Sequence, residues 1–243
     1  MEYSIGYSSF FNVNRRGDTP FMHLVSELDG SRTAQLGCTQ LPNATVKEAR
    51  KIREDWVSYL RDNPTAFENL WFVSRVPQDL FDAICCQTDL EFLYLKWGAY
   101  KDLSALRNLK KLKFLRIGTG ASVQDISALG DMPSLQVLSL ENFQKISDYS
   151  VLGKLTGLLE LEVGGKQFAE TYIPVDDLEF LRTMKSLRAL TLINLRLASH
   201  SYLPICDLVS LERLALPWNR DVDRDQDVIS AMLPNVLPFR GSK

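Results

Sequence analysis

The sequence contains little cysteine and little histidine. Its four cysteines, Cys38, Cys85, Cys86 and Cys206, are too few and too irregularly spaced for a disulfide framework in a chain of 243 residues. No cysteine and histidine group has the spacing of metal ligands, and only two histidines are present. We therefore expect reduced thiols, no metal, no cofactor and a cytoplasmic protein.

The chain also lacks a strong charge of either sign and a long apolar run. Its 28 basic and 30 acidic residues give a formal net charge of −2, so no overall basic field attracts it to nucleic acid or to an anionic membrane. No apolar stretch approaches the roughly 18 residues that a membrane span needs. The first residues, "MEYSIGYSSFFNVNRRGD", do not have the pattern of a secretory signal. Nucleic acid and membrane are not expected partners.

What is present is a repeated apolar pattern. The hexad L-x-x-[LV]-x-[LIV] occurs six times, and a degenerate copy begins at Phe67. Successive copies begin 22 to 29 residues apart, and a period of this length is typical of a solenoid. The six hexads are "LEFLYL", "LKFLRI", "LQVLSL", "LLELEV", "LRALTL" and "LERLAL", beginning at Leu90, Leu112, Leu135, Leu158, Leu187 and Leu211.

A second pattern precedes each of the last five hexads. An acid is followed by apolar residues one, four and seven positions later, and a serine takes the place of the acid in the last unit. Steps of three predict a 3₁₀-like turn that the acid caps, and the final step of two within the hexad predicts a strand. Each unit is therefore one short strand and one tight turn, which must stack to bury its apolar side. The capping positions are Asp102, Asp125, Asp148, Asp177 and Ser201.

Over residues 67–222 the two patterns together resemble the leucine-rich repeat, in the subtype found in bacterial internalins and in the phosphatase-regulator family. The resemblance implies an α/β solenoid: a right-handed leucine-rich repeat with a parallel concave β-sheet of six or seven strands. The chain departs from the family at one position of the repeat. The family has an asparagine three positions after the last strand leucine, and in this chain only Asn219 matches it. We therefore expect the internal asparagine ladder to be largely absent. The other five positions hold Gly98, Gly120, Phe143, Lys166 and Leu195.

The two ends of the chain do not follow the repeat. Residues 1–66 are predicted to form an N-terminal α/β cap segment with a helix near 45–61, because Thr45 and Glu48 have the spacing of a capping box. The fold and role of residues 1–44 stay open. Residues 223–243 are predicted to be a C-terminal cap and tail, with a short helix that begins at Asp225 or Asp227. The acidic stretch Asp221–Asp227 is interpreted as a solvated loop, with a cation site as the alternative.

Residues that alternate with the buried leucines point out of the sheet and are the candidate contact residues. Large aromatic side chains and arginine dominate binding energy at protein interfaces. An insertion of about six residues before Asp177 adds two further aromatic side chains. The predicted partner-binding residues are Trp71, Tyr94, Lys96, Trp97, Arg116, Glu141, Glu162, Phe168 and Tyr172.

A repeated scaffold without a catalytic set favours a non-catalytic protein–protein interaction module that binds a protein partner on its concave face. It would act as an adaptor or as an inhibitor, for example as a bacterial immunity-type protein does. The alternative is an effector or enzyme with its chemistry in residues 1–66, which offer only His23, Cys38 and a few acids as candidate catalytic residues. In that case the repeats would select the substrate. The sequence does not identify the partner, the source organism or the oligomeric state.

Overall fold

Short strands and 3₁₀ turns alternate along most of the chain. The computed structural model describes residues 19–165 and 172–240. In these ranges three helices are present: α1 (Val46–Asp62), α2 (Gln78–Ile84) and α3 (Arg220–Met232). The strands are β1 (Phe21–Met22), β2 (Thr33–Leu36), β3 (Asn69–Val76), β4 (Phe92–Gly98), β5 (Phe114–Ile117), β6 (Val137–Glu141), β7 (Glu160–Gly164), β8 (Ile173–Val175), β9 (Ala189–Ile193), β10 (Leu195–Leu197), β11 (Arg213–Leu216) and β12 (Leu237–Arg240).

Within the described ranges the strands form one long parallel sheet and one small one. The long sheet has ten strands in the order β1-β2-β3-β4-β5-β6-β7-β9-β11-β12, and β8 pairs with β10. All of these pairs are parallel. The predicted α/β solenoid is confirmed, and seven strands of the long sheet come from the repeat region. Strands β1, β2 and β12 extend this sheet at both ends, which the sequence did not predict.

The leucines that gave the sequence its period form continuous rows in the core. Leu115, Leu138, Leu161 and Leu190 are register partners on neighbouring strands, and all of them are buried. A second buried row comes from the 3₁₀ turns, which lie on the opposite side of the core from the sheet. Its members are Leu106, Leu129, Leu152, Leu181 and Ile205. Each leucine is thus covered by its equivalents in the adjacent units.

The acids cap the turns as predicted. The carboxylate of Asp102 accepts a hydrogen bond from the backbone N–H of Ser104 at 2.8 Å. The same contact is repeated at Asp125, Asp148 and Asp177, with distances of 2.7, 2.8 and 2.9 Å. In the last unit the Ser201 hydroxyl replaces the carboxylate at 3.4 Å. This local bond to the N–H two residues later fixes the entry into each turn.

The predicted absence of an asparagine ladder holds at the described positions. Phe143 and Leu195 stand at two ladder positions, and both are buried. The Phe143 ring lies beside Gly120, where a Cβ atom would come within 2.4 Å of it. Apolar packing therefore replaces the amide ladder at this edge of the core.

At the N-terminal end, α1 begins with the expected capping box. The Thr45 hydroxyl accepts from the Glu48 N–H at 3.3 Å, and the Glu48 carboxylate accepts from the Thr45 N–H at 2.8 Å. Trp56 of this helix is fully buried, and its Nε1 donates to the carbonyl of His23 at 2.8 Å. The helix lies in the chain between β2 and β3, which pair directly. The boundaries at residues 66 and 222 stay predictions.

The prediction for the C-terminal cap was wrong in two respects: the residue at which the helix begins, and the conformation of the acidic stretch Asp221–Asp227. Helix α3 begins after Asn219, whose side chain accepts from the Val222 N–H at 2.9 Å. Asp221–Asp227 is therefore helical and not a loop. Asp225 is buried and accepts from the Tyr202 N–H at 2.7 Å, so it fastens the helix to the last repeat.

A charge in the leucine row should unfold the stack. Leu138 is fully buried between equivalent leucines, and Leu138→Asp would place an unpaired carboxylate there, at a cost on the order of 4 kcal/mol or more. We expect loss of the cooperative thermal transition in circular dichroism. Val209→Asp is the matched control, because Val209 is 74% exposed. A Leu138→Asp protein that melts like the parent would contradict the register.

Candidate functional site

The sheet face opposite the leucine core, here called the concave face, carries two complete rows of outward side chains. Alternation along each strand places every second residue on this face. The first row is Asn69, Phe92, Phe114, Val137, Glu160, Ala189 and Arg213. The second row is Gln35, Trp71, Tyr94, Arg116, Ser139, Glu162, Thr191 and Ala215.

An apolar cluster occupies the concave face over β3 to β6. The rings of Phe92 and Phe114 stack with 4.1 Å between centroids, and Trp71 lies 4.4 Å from Phe92. Val137 completes the cluster, and Tyr94 packs against it. Trp71 was predicted to be an exposed contact residue, but only 3% of its surface is exposed. It is the register partner of Tyr94 on the neighbouring strand and offers almost no surface of its own.

Beside this cluster lies a connected group of charged and polar side chains, here called the ion cluster: Arg116, Ser139, Glu141 and Glu162. The Arg116 guanidinium donates to Ser139 Oγ at 2.8 Å and pairs with Glu141 at 2.6 Å and with Glu162 at 3.4 Å. It also lies over the Tyr94 ring, 5.7 Å from the centroid. The structure thus brings four of the predicted residues into one connected group.

Burial changes the pKa of one carboxyl in the ion cluster, that of Glu162. It raises the pKa of the Glu162 carboxyl above its ordinary value, although the positive charge of Arg116 opposes this. Glu162 is 5% exposed, and its Oε2 atom has no hydrogen-bond partner among the residues that the structure describes. The buried charges of the ion cluster therefore lower the stability of the fold, because their desolvation is only partly compensated.

The remaining predicted contact residues belong neither to the apolar cluster nor to the ion cluster. Lys96 is exposed at the end of β4, and the half-buried Trp97 ring packs under the Arg75 guanidinium at 5.9 Å. Tyr172 is 54% exposed and precedes β8, away from the long sheet. Phe168 lies outside the described residues.

The whole first row was missed from the sequence. The residue between the two buried leucines of each hexad and the positions after the second leucine were counted as outward, and the residue before the first of these two leucines was not. The same alternation that identified Tyr94 and Arg116 also places Phe92, Phe114 and Glu160 outward. An aromatic residue at the third position of both "LEFLYL" and "LKFLRI" was the available signal.

His23 and Cys38 are not arranged as a base and a nucleophile. Cys38 is fully buried, and burial raises the pKa of its thiol to about 12, which keeps it protonated. The His23 ring contacts the carbonyl oxygen of Gly37 at 2.8 Å through Nδ1. Neither residue is poised for nucleophilic catalysis in this arrangement.

Two kinds of feature are absent from the described residues, 19–165 and 172–240. In these ranges no group of three or more histidine, cysteine, aspartate or glutamate side chains could hold a metal ion. None of the helices in the described ranges has the length and apolar character needed to cross a membrane.

Comparison with solved structures identifies the architecture. An internalin of Listeria monocytogenes superimposes with a TM-score of 0.57 and 20% identity, covering 75% of this chain and 76% of the internalin. The chain has the leucine-rich repeat fold. A leucine-rich repeat protein of Leptospira interrogans superimposes with a TM-score of 0.51 and 17% identity, over 86% of this chain and 53% of that protein.

A chain in the Toll–Spatzle complex of Drosophila superimposes over 78% of this chain and 23% of its own length, with a TM-score of 0.52 and 16% identity. At these identities the likeness to leucine-rich repeat proteins concerns the fold alone. By sequence, neither a family model nor a curated protein matches the chain.

The buried carboxyl on the concave face should give this leucine-rich repeat chain a measurable dependence of stability on pH. Because the folded-state pKa of Glu162 is raised above 4.5, its contribution to stability is present below that pH and is lost as pH rises through the folded-state pKa. Near neutral pH we expect Glu162→Gln to melt at or above the temperature of the parent, and this difference should shrink toward pH 4.5.

The matched control is Glu179→Gln, since Glu179 is an exposed partner of Arg182 on a 3₁₀ turn. Thermal melts at several pH values measure both variants. A Glu162→Gln protein that is clearly less stable than the parent at neutral pH would contradict the cost assigned to the ion cluster.

Proposed function

We propose that this chain is a non-catalytic interaction module that binds a protein partner on its concave face. The observation that carries this proposal is the position of the ion cluster beside the apolar cluster of the concave face, on the side of the sheet opposite the leucine core. Elsewhere in the second row neutral residues such as Thr191 and Ala215 occupy the same register position. Charges that cost stability at a scaffold surface favour a binding role.

The chemistry of the concave face matches that of protein interfaces. Tyr94 and Trp97 are half-buried, so each has an anchored ring with some surface left for a partner. Arginine and aromatic side chains supply most of the binding energy in interfaces, and partly exposed charges at the rim guide association. Lys96 and Glu141 are such rim charges. The partner would therefore contact β4 to β7 first.

The mode of action is proposed as that of an adaptor or of an inhibitor that covers its partner. Toll, whose structure in complex with Spatzle shares this fold, shows that the architecture can engage another protein; for this chain the same role is an inference. The enzyme alternative gains no support from the described part of residues 1–66, since Cys38 is buried and protonated. The cytoplasmic location also stays a prediction.

Removal of the Tyr94 ring tests the site. Tyr94 packs against the apolar cluster and under the Arg116 guanidinium. Truncation of such an anchor costs about 2 kcal/mol or more of binding energy, roughly thirtyfold in affinity. Tagged parent protein and Tyr94→Ala would be compared in affinity capture from a lysate of the source organism. We expect a protein that the parent captures and Tyr94→Ala loses.

The control variant is Leu203→Ala, an exposed apolar residue on a 3₁₀ turn on the other side of the molecule. It should capture the same protein as the parent. Equal capture by all three proteins would move the binding site away from the concave face.

The insertion before β8 offers a second contact. Because Tyr172 is 54% exposed, Tyr172→Ala should leave the melting temperature within about a degree of the parent, as surface substitutions usually do. If the ring contacts the partner, its loss weakens capture. Unchanged capture by a stable Tyr172→Ala protein would remove this residue from the proposed interface.

A further inference from the structure

A cleft lies at the N-terminal end of the solenoid, between the start of helix α1 and the carboxyl ends of strands β2, β3 and β4. Its volume is about 490 Å³, within the range of roughly 300–1,000 Å³ that small-molecule sites occupy. Helix α1 contributes Val46, Ala49, Arg50 and Arg53 to the lining, and the end of β3 contributes Arg75. No residue of the apolar cluster or of the ion cluster lines it.

The charged residues that line this cleft are all arginines: Arg50, Arg53 and Arg75. Arg50 pairs with Glu54 at 2.7 Å, and Nε of Arg53 lies 3.4 Å from the Asp79 carboxylate. Neither acid belongs to the lining. Three cations are thus matched by two carboxylates that stand outside the cleft, so the cleft has an excess of positive charge.

Two of these arginines are incompletely paired. Nε of Arg53 is buried and makes no hydrogen bond to any residue that the structure describes, so its contact with Asp79 is an ion pair without a directional bond. The Arg75 guanidinium lies over the Trp97 ring, and within the described ranges it pairs with no carboxylate. The charge of both side chains is therefore available to an added anion.

The arginines of the cleft can be reached from solvent. The side chain of Arg50 is 73% exposed, that of Arg53 is 34% exposed, and Arg75 is also exposed. Long side chains at such positions can turn their guanidinium groups toward a ligand without a change in the core. An anion can therefore enter this cleft with the fold as it stands.

The start of helix α1 adds to the preference for an anion. Val46 is the first residue of this helix, and it is 89% exposed. The N-terminus of a helix favours negative charge, because its dipole is positive there and its first N–H groups have no partner within the helix. Between the arginines the lining is apolar, with Ala49, Pro77 and Ala99.

We propose that this cleft binds a small organic anion, a phosphate monoester that carries an apolar group. Guanidinium groups match phosphate oxygens through paired N–H bonds. A phosphate dianion gains more from several cations than a carboxylate with one charge does. The apolar part of the lining receives the group that the phosphate carries. The site lies apart from the concave face and does not depend on the proposed function.

The test uses the full chain and three probes that share one ring: phenyl phosphate, benzoate and phenol. Backbone amide shifts would be followed by NMR at a fixed ionic strength, because salt screens exposed charges. We expect saturable shifts at residues 39–40, 46–53, 75–77 and 99 with phenyl phosphate, weaker binding of benzoate, and no saturable shifts there with phenol. Equal binding of phenol, tighter binding of benzoate, or no saturable shifts with phenyl phosphate would each overturn the site.

The first variant is Val46→Asp, which places a negative charge at the mouth of the cleft. An acid in the first turn favours the helix, so this variant should melt at or above the temperature of the parent. It should bind phenyl phosphate about fivefold more weakly or worse. Val46→Asn is the matched neutral control and should bind as the parent does. Equal binding by Val46→Asp and Val46→Asn would contradict the proposal.

The second variant is Arg53→Gln, which removes one cation of the lining and should also weaken phenyl phosphate binding about fivefold. Arg61→Gln is its control, because Arg61 is an exposed arginine in the last turn of the same helix and does not line the cleft. Arg61→Gln should bind as the parent does. An equal loss in both variants would show a general effect of charge and would overturn the site.

Discussion

Burial of the leucine rows between successive units is the constraint on which the rest of the structure depends. A single unit of one strand and one turn cannot cover its own apolar side, so each leucine depends on the neighbouring units for its burial. The requirement fixes the register of the parallel sheet, since a shift by one residue would turn Leu138 out of the core. It also fixes which residues face outward, and therefore the composition of the concave face.

The same constraint explains why the concave face can hold buried charges that destabilise the fold. The leucine core and the apolar cluster of the concave face are separate groups of buried residues, so the residues of the outward rows do not take part in the leucine packing. On β3 to β5 these positions hold aromatic rings, and on β5 to β7 they also hold charged residues. The buried carboxyl of Glu162 is a cost that the scaffold tolerates because the stack supplies stability elsewhere.

Most of the fold could be predicted because its signal is local and repeated. The period, the capping aspartates and the strand positions all follow from side-chain spacing, and each recurs several times. The ends could not be predicted in this way, because β1, β2 and β12 have no repeated pattern and pair with the sheet through backbone bonds. Asp225 illustrates the difficulty, since an acid expected to begin a helix instead lies inside it and binds the preceding repeat.

The site was predicted in outline and not in its contacts. Alternation placed Tyr94, Arg116 and Glu162 on one face, but the burial of Trp71 depends on stacking with Phe92, a residue of the row that was overlooked. The most direct test of the account is hydrogen exchange of the chain with and without its captured partner. Protection confined to 92–98, 114–117, 137–141 and 160–164 would support binding on the concave face, and protection confined to the 3₁₀ turns would contradict it.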